Sequence, residues 1–190
     1  MTHCERENDL VRVGGEVDDD SDATLVRRLA GATIGGTFNQ YAASPRLRAR
    51  LERYLAARVH APLLLVGEAA GYRGARVSGI PFTSERQLTG TGPAEATATI
   101  VRGALRQLEI EAEVLLWNVV PTHPGTVTSN RAPTRDEVEA GLRFAQELAR
   151  GRRVLAVGRV AERALGGTYI RHPSHGGAHA FRETLRTCLS

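Results

Sequence analysis

Short apolar runs alternate along the chain with longer stretches in which apolar residues recur every three or four positions. The short runs are typical of buried strands, and the periodic stretches are typical of amphipathic helices. The predicted strands cover residues 63–66, 114–117, 154–157 and 168–170. The predicted helices cover residues 23–30, 45–60, 93–108, 134–151 and 159–165, and a last helix follows Gly177. Strands joined by helices predict a three-layer α/β/α fold with a central four-stranded parallel sheet.

Two local signals refine this outline. Thr134 and Glu137 have the spacing of a capping box, which predicts that a helix begins directly after Thr134. Residues 33–43 contain glycines and an asparagine and are expected to form a loop, with Phe38 and Tyr41 packed beneath the body of the protein.

Length and composition limit the possible classes of protein. A chain of 190 residues is long enough for a single three-layer domain, which we expect to cover residues 23–190. No apolar run approaches the length of a membrane span, and no charged-then-apolar leader begins the chain. The two cysteines, Cys4 and Cys188, are typical of a reducing, cytoplasmic setting and are too few for an iron–sulfur cluster with four cysteine ligands. We expect no cofactor.

The charge is distributed unevenly. Residues 1–22 contain eight acids and two arginines, and the remaining residues contain 23 arginines and 13 acids. The first segment is therefore expected to be a flexible acidic tail, and the basic body suits a polyanionic partner. An ordinary solvated surface that uses Arg in place of Lys would give the same composition, because the chain contains no Lys.

Polar residues stand where three of the apolar runs end. Glu68 follows the first run within a glycine-rich stretch that also holds Phe82, Asn118 ends the second run, and His172 follows the fourth. The carboxyl ends of parallel strands meet at one edge of a sheet, which is where open α/β sheets bind ligands. The four side chains predict a pocket for a planar, hydrogen-bonding ligand with acid–base groups at its edge. A Walker phosphate loop is excluded, because that loop requires a Lys.

Four short segments in this order resemble the motifs of the uracil-DNA glycosylase superfamily, over about residues 62–181. Gly-Glu-Ala-Ala-Gly at 67–71 resembles the first motif, and Gly-Ile-Pro-Phe at 79–82 resembles the segment with the base-stacking aromatic. Trp-Asn at 117–118 resembles the strand end that reads the uracil edge, and His-Pro-Ser at 172–174 resembles the closing motif.

The resemblance implies roles for individual residues. Glu68 would orient water toward the sugar, and His172 would stabilise the negative charge that develops on uracil O2. The residues expected to bind the base are Gly67, Ala69, Tyr72, Phe82 and Asn118. The residues expected to bind the DNA backbone are Ser84, Ser174, His175, Gly176 and Gly177.

The chain also departs from the family pattern. Family members often carry an Asp or Asn one place after the motif glutamate, where this chain has Ala69. The bulky residue that excludes thymine is replaced by Gly71, although Tyr72 next to it could swing into the pocket. The loop after His172 lacks the large apolar residue that family members push into the duplex. His172, His175 and His179 do not have the spacing of a zinc site, so no metal is expected.

These features favour a monofunctional DNA glycosylase that removes uracil and leaves an abasic site. Its expected partner is DNA containing uracil, with no membrane association, and we expect a monomer. Ala69 and the missing apolar wedge keep a second hypothesis open, a catalytically weak DNA- or nucleotide-binding module on the same fold. An unrelated α/β hydrolase is disfavoured, because the chain has no Gly-x-Ser-x-Gly nucleophile elbow.

Overall fold

A computed structural model of the chain describes residues 19–174 and 176–189. It contains the strands β1 to β4, which are Leu63–Ala69, Val114–Val120, Arg153–Val157 and Thr168–Ile170. Its helices α1 to α9 are Asp19–Ala30, Gln40–Ala43, Pro45–Ala56, Ala75–Ser78, Glu85–Thr89, Ala96–Gln107, Arg135–Ala149, Arg159–Leu165 and Ala178–Leu189. A short 3-10 helix, Glu111–Glu113, precedes β2.

The four strands form one parallel sheet in the order β2-β1-β3-β4. Every residue of β2 and the first five residues of β1 are buried. Successive side chains of a strand point to opposite faces, so burial of both sets means that both faces of the sheet are covered. The predicted three-layer fold with a central four-stranded parallel sheet is confirmed.

The first two strands are longer than the sequence predicts. Each continues for three more residues, so Glu68 and Asn118 belong to strands rather than to the loops that follow. Gly67 pairs with Asn118 and Ala69 with Val120 in the parallel ladder. Pairing with the neighbouring strand supplies the backbone hydrogen bonds here, and this outweighs the weak strand preference of Gly, Glu and Asn.

Several helix boundaries also differ. α1 begins at Asp19, so the last four residues of the predicted acidic tail are helical, and residues 1–18 lie outside the described part of the chain. α3 ends at Ala56 and α6 begins at Ala96, so both are shorter than predicted. The loop after β1 contains the short helices α4 and α5, which the sequence pattern does not indicate.

The segment expected to be a loop at 33–43 contains the one-turn helix α2. The Asn39 side chain caps it and accepts hydrogen bonds from the backbone N–H groups of Tyr41 and Ala42. Tyr41 is fully buried, as predicted, and its hydroxyl donates to the carbonyl oxygen of Gly79 at 3.0 Å. The prediction for Phe38 is wrong, because its side chain is 44% exposed and lies against the Arg76 guanidinium instead of in the core.

Candidate functional site

The carboxyl edge of the sheet carries a cavity of about 220 Å³. β1 and β2 end side by side at this edge, and the chain that leaves β4 brings His172 to it. Four residues that the sequence singles out as a constellation, Glu68, Phe82, Asn118 and His172, therefore line one cavity. The full lining is Glu68, Ala69, Ala70, Gly71, Ala75, Phe82, Glu95, Thr97, Asn118, Pro124, Asn130, Arg131 and His172.

Gly67 brings the aromatic ring and the amide of this cavity close together. A methyl group at Gly67 would overlap Phe82 Cζ and would lie 2.9 Å from Asn118 Oδ1. Phe82 itself has a φ angle of 49°, in the left-handed region that bulky residues rarely adopt. Strained backbone of this kind often marks a binding site, because the surrounding structure must hold the side chain in place.

Asn118 lines the cavity with an amide that is not hydrogen-bonded within the described residues. Its side chain is 4% exposed, and its amide makes no hydrogen bond to another residue within 19–174 and 176–189. An amide has two donor hydrogens and an acceptor oxygen with which it can pair. The amide is therefore available to a ligand that offers one acceptor and one donor side by side.

Two carboxyl groups line the cavity. Burial raises the pKa of Glu68 above its ordinary value, and burial raises the pKa of Glu95 to about 7. The ionised form of a carboxyl group loses favourable hydration when it is removed from water, so burial favours the neutral form. The sequence identifies Glu68 but not Glu95, because acids are common at helix starts and Glu95 directly precedes α6.

The hydrogen bonds of His172 fix the position of its ring proton. The backbone N–H of Ser174 donates to His172 Nδ1 at 3.2 Å, and the Ser174 hydroxyl lies 2.8 Å from the same nitrogen. A backbone N–H can only donate, so Nδ1 is the acceptor and the proton of the neutral ring is on Nε2. His172 lines the cavity, and a neutral ring in this tautomer has its N–H donor at Nε2.

The loop after β2 forms the rim. Arg131 lines the cavity and pairs with Glu137 through two contacts of 2.7 and 2.6 Å. Asn130 also lines it, and its Oδ1 accepts a hydrogen bond from the backbone N–H of Tyr72 at 2.9 Å. Tyr72, which the sequence predicts to bind the base, is not among the residues that line the cavity. Its backbone is tied to the rim, and its ring lies beneath the Arg73 guanidinium.

The residues predicted to bind phosphates differ in burial and in hydrogen bonding. Ser84 is fully buried, and its hydroxyl donates to Gln87 Oε1 at the start of α5, so it has a structural role and not the predicted contact with DNA. The N–H of Gly177 is already used by the carbonyl oxygen of Ser174 at 3.0 Å. Ser174 is half-buried, Gly176 is exposed, and His175 lies outside the described residues.

Sequence reasoning missed the loop residues and Glu95. Pro124, Asn130 and Arg131 all follow β2, and the position of that loop after a buried strand is the signal that could have identified them. Within the described ranges, no group of three or more His, Cys, Asp or Glu residues is arranged to hold a metal ion. Among the helices of the same residues, none combines the length and the apolarity of a membrane span.

Comparisons with known proteins identify the family and agree with the fold. Residues 55–187 match the family model described as the uracil DNA glycosylase superfamily. The crystal structure of wild-type SMUG2 from Pedobacter heparinus resembles the chain with a TM-score of 0.64 and 13% identity, over 88% of this chain and 96% of that one. No curated protein matches the sequence. The family match covers well over half of the chain and the fold agrees with it, so the chain belongs to the uracil DNA glycosylase superfamily, whose members are generally glycosylases that act on DNA.

Proposed function

We propose that this protein removes uracil from DNA by hydrolysing its N-glycosidic bond and leaves an abasic site. The observation that carries the proposal is the convergence of Glu68, Phe82, Asn118 and His172 on one cavity at the carboxyl edge of the sheet. Two of these groups suit a planar base, and the other two suit the charges that develop when the bond to that base breaks.

Phe82 and Asn118 would bind the base. A base inside a duplex is inaccessible to such a cavity, so it must be unpaired or rotated out of the stack. The Phe82 ring offers a surface on which the base can stack, and its strained backbone holds that ring beside Gly67. The Asn118 amide can donate to O4 of uracil and accept from N3–H, whereas cytosine presents the reverse pattern at both positions.

Glu68 and His172 would carry out the chemistry. The C1′–N bond breaks with its electron pair leaving on the base, and a water oxygen bonds to C1′. One proton of that water passes to the Glu68 carboxylate and reaches the departed base through solvent. His172 donates from Nε2 to uracil O2, where negative charge accumulates, and a donor placed in advance at such a position is a strong catalytic contribution.

Ala69 supports a second candidate function, a DNA-binding module with little or no catalysis. Ala69 lines the cavity and has only a methyl side chain, so position 69 provides no polar group that could hold the attacking water. The two candidates differ in one measurable property, because both bind DNA that contains uracil but only the enzyme leaves alkali-labile abasic sites.

The test is a single-turnover assay with labelled oligonucleotides that carry uracil opposite G, opposite A, or unpaired, followed by alkali cleavage. We expect the wild-type protein to excise uracil. Glu68→Gln and His172→Ala should each reduce the rate by about 10²-fold or more, with DNA affinity little changed. The exposed acid Glu113 provides a control, since Glu113→Gln should leave the rate unchanged. Uracil-specific binding without excision would favour the binding module.

A further inference from the structure

Glu95 is a polar group in the cavity to which the proposed mechanism assigns no role. It directly precedes α6, lines the cavity and is half-buried. Its carboxyl group makes no hydrogen bond and no ion pair with any residue in the described part of the chain, and it does not cap the helix that follows. A partly buried carboxyl group without a protein partner is unusual, because desolvation is then not offset.

Two glycines make room for this carboxyl group. A methyl group at Gly71 would overlap Glu95 Oε1, and one at Gly74 would overlap Oε2. The carboxyl group therefore lies directly against the main chain of the turn between β1 and α4, and it forms the cavity wall where a side chain of residue 71 would otherwise stand. Replacement of either glycine by a larger residue would push the carboxyl group out of this position.

The neighbours of Glu95 leave it without a compensating charge. The other titratable or charged residues that line the cavity are Glu68, Arg131 and His172. Arg131 is engaged by Glu137, and no Arg131–Glu95 pair occurs. Burial raises the pKa of Glu95 from 4.5 to about 7, so the neutral acid predominates below about pH 7 and the carboxylate above it.

We propose that Glu95 is a further base-contacting residue, whose neutral carboxylic acid donates a hydrogen bond to the base in the cavity. The class of base selected is one that presents an oxygen or a ring-nitrogen acceptor to the wall at Gly71 and Gly74. The inference rests on the proposed function, because it concerns the same cavity. It deepens that function by adding a specificity contact that Asn118 does not make.

The electrostatics of the reaction favour a donor over a general base. The departing base becomes negatively charged, and a second carboxylate in the wall beside it would oppose that charge. A neutral acid stabilises it by hydrogen bonding, as an uncharged carboxyl group does when its site disfavours ionisation. Glu68 must be ionised and Glu95 neutral, so the rate should rise with pH as Glu68 ionises and fall as Glu95 ionises.

The experiment compares pH–rate profiles of the wild-type protein and Glu95→Gln in single-turnover uracil excision. Gln retains a donor and the shape of Glu but does not titrate. We expect the wild-type rate to fall above about pH 7 by up to about tenfold per pH unit, and the Glu95→Gln rate to stay level there. Glu68, Arg131 and His172 are the same in both proteins, so their titration does not contribute to the difference.

Two further measurements distinguish this inference from the proposed function. The carboxyl ¹³C resonances of the wild-type protein should include one with a midpoint near pH 7 that is absent from Glu95→Gln. Binding of an oligonucleotide with a non-cleavable 2′-fluoro-deoxyuridine should weaken above pH 7 in the wild-type protein and not in the variant. These readouts require no excision, so a wild-type protein that binds in this way but does not cleave contradicts only the proposed function.

A second variant guards against an effect on folding. Gly71→Ala should displace the Glu95 carboxyl group while Glu95 itself stays unchanged. This variant should also abolish the fall in rate above pH 7.

Glu113→Gln serves as the control for removing an acid, and melting temperatures of all variants check their folding. Parallel wild-type and Glu95→Gln profiles in an active enzyme would overturn the inference and leave the proposed function standing. A rate that rises through pH 7 in the wild-type protein but not in Glu95→Gln would identify Glu95 as a general base. That result would also overturn the inference.

Discussion

At the scale of single residues, the side chains of the cavity occupy space that neighbouring glycines leave open. Gly67 has no side chain, so the Phe82 ring and the Asn118 amide can both lie close to its backbone. Gly71 and Gly74 likewise leave the space that the Glu95 carboxyl group occupies. The glycines of the first motif therefore shape the cavity by allowing close approach, and the chemistry is supplied by residues from other elements.

Asn118→Asp tests whether the amide selects the base. Replacing the amide nitrogen with an oxygen removes the donor to uracil O4 and provides an acceptor for the cytosine N4 amino group. We expect uracil excision to fall by about 10²-fold or more and trace cytosine excision to appear, mainly at unpaired sites where flipping costs least. The measurement is excision of both bases in the same oligonucleotide context.

The melting temperature of the variant provides the control for this substitution. An Asn118 that only stabilises the end of β2 would give a less stable protein with an unchanged preference between the bases. Efficient uracil excision by a well-folded Asn118→Asp protein would remove the amide from its proposed role.

At the scale of elements, the start of α7 anchors the cavity rim. Glu137 is buried and accepts hydrogen bonds from Thr134 N at 2.8 Å, from Gly36 N at 3.2 Å and from Arg131. The Arg131 guanidinium, which contributes most among these partners, and the two N–H donors lower the pKa of Glu137 to about 2. A single carboxylate thus joins the α7 cap, the segment before α2 and the loop that lines the cavity.

We predict that Glu137→Gln destabilises the protein by on the order of 2 kcal/mol at neutral pH, because a charged acceptor of several hydrogen bonds is lost. The pKa of Glu137 is lower in the folded than in the unfolded protein, so its contribution is present above about pH 4.5 and is lost as the pH falls toward 2. Urea unfolding at several pH values should show the difference between wild type and variant shrinking over that interval.

The same helix offers a matched control. Glu139 is exposed, and Glu139→Gln should change the free energy of unfolding by less than about 0.5 kcal/mol at any of these pH values. A stability difference for Glu137→Gln that is the same at about pH 3 and pH 7 would contradict the ionic origin of the effect.

At the scale of the whole molecule, the charge suits a DNA partner. Residues 23–190 contain ten more arginines than acids. Arg73 and Arg171 are exposed, Arg73 in the turn between β1 and α4 and Arg171 directly after β4. We predict that DNA affinity falls steeply with salt and that Arg73→Gln and Arg171→Gln each reduce the slope of log K against log salt by about 1. Exposed Arg163, on α8, should have a smaller effect.

The same salt dependence of DNA binding also tests the role of the acidic segment. Removing residues 1–18 takes away five acids and two arginines while leaving α1 complete. If that segment shields the basic body, the shortened protein should bind undamaged DNA more tightly at low salt, with the difference disappearing at high salt. Equal or weaker binding would count against shielding.

The sequence by itself determined the class of fold and most of the cavity. Apolar runs joined by amphipathic helices are sufficient to indicate a parallel sheet, and parallel strands bring their carboxyl ends to one edge. Glu68, Asn118 and His172 could therefore be assigned to a common site without coordinates. The capping box at Thr134 is local as well, because its hydrogen bonds join residues three apart, and the structure confirms it.

Only the tertiary structure decided which polar groups remain available to a ligand. Ser84 looks like a phosphate contact in the sequence, but it is buried and bonded to Gln87. Tyr72 adjoins the first motif, yet it does not line the cavity, and its backbone N–H is bonded to Asn130 at the rim. Glu95 resembles an ordinary helix-start acid until the turn at Gly71 and Gly74 is folded against it. Burial and partnership depend on segments distant in the chain, so no local pattern of residues can encode them.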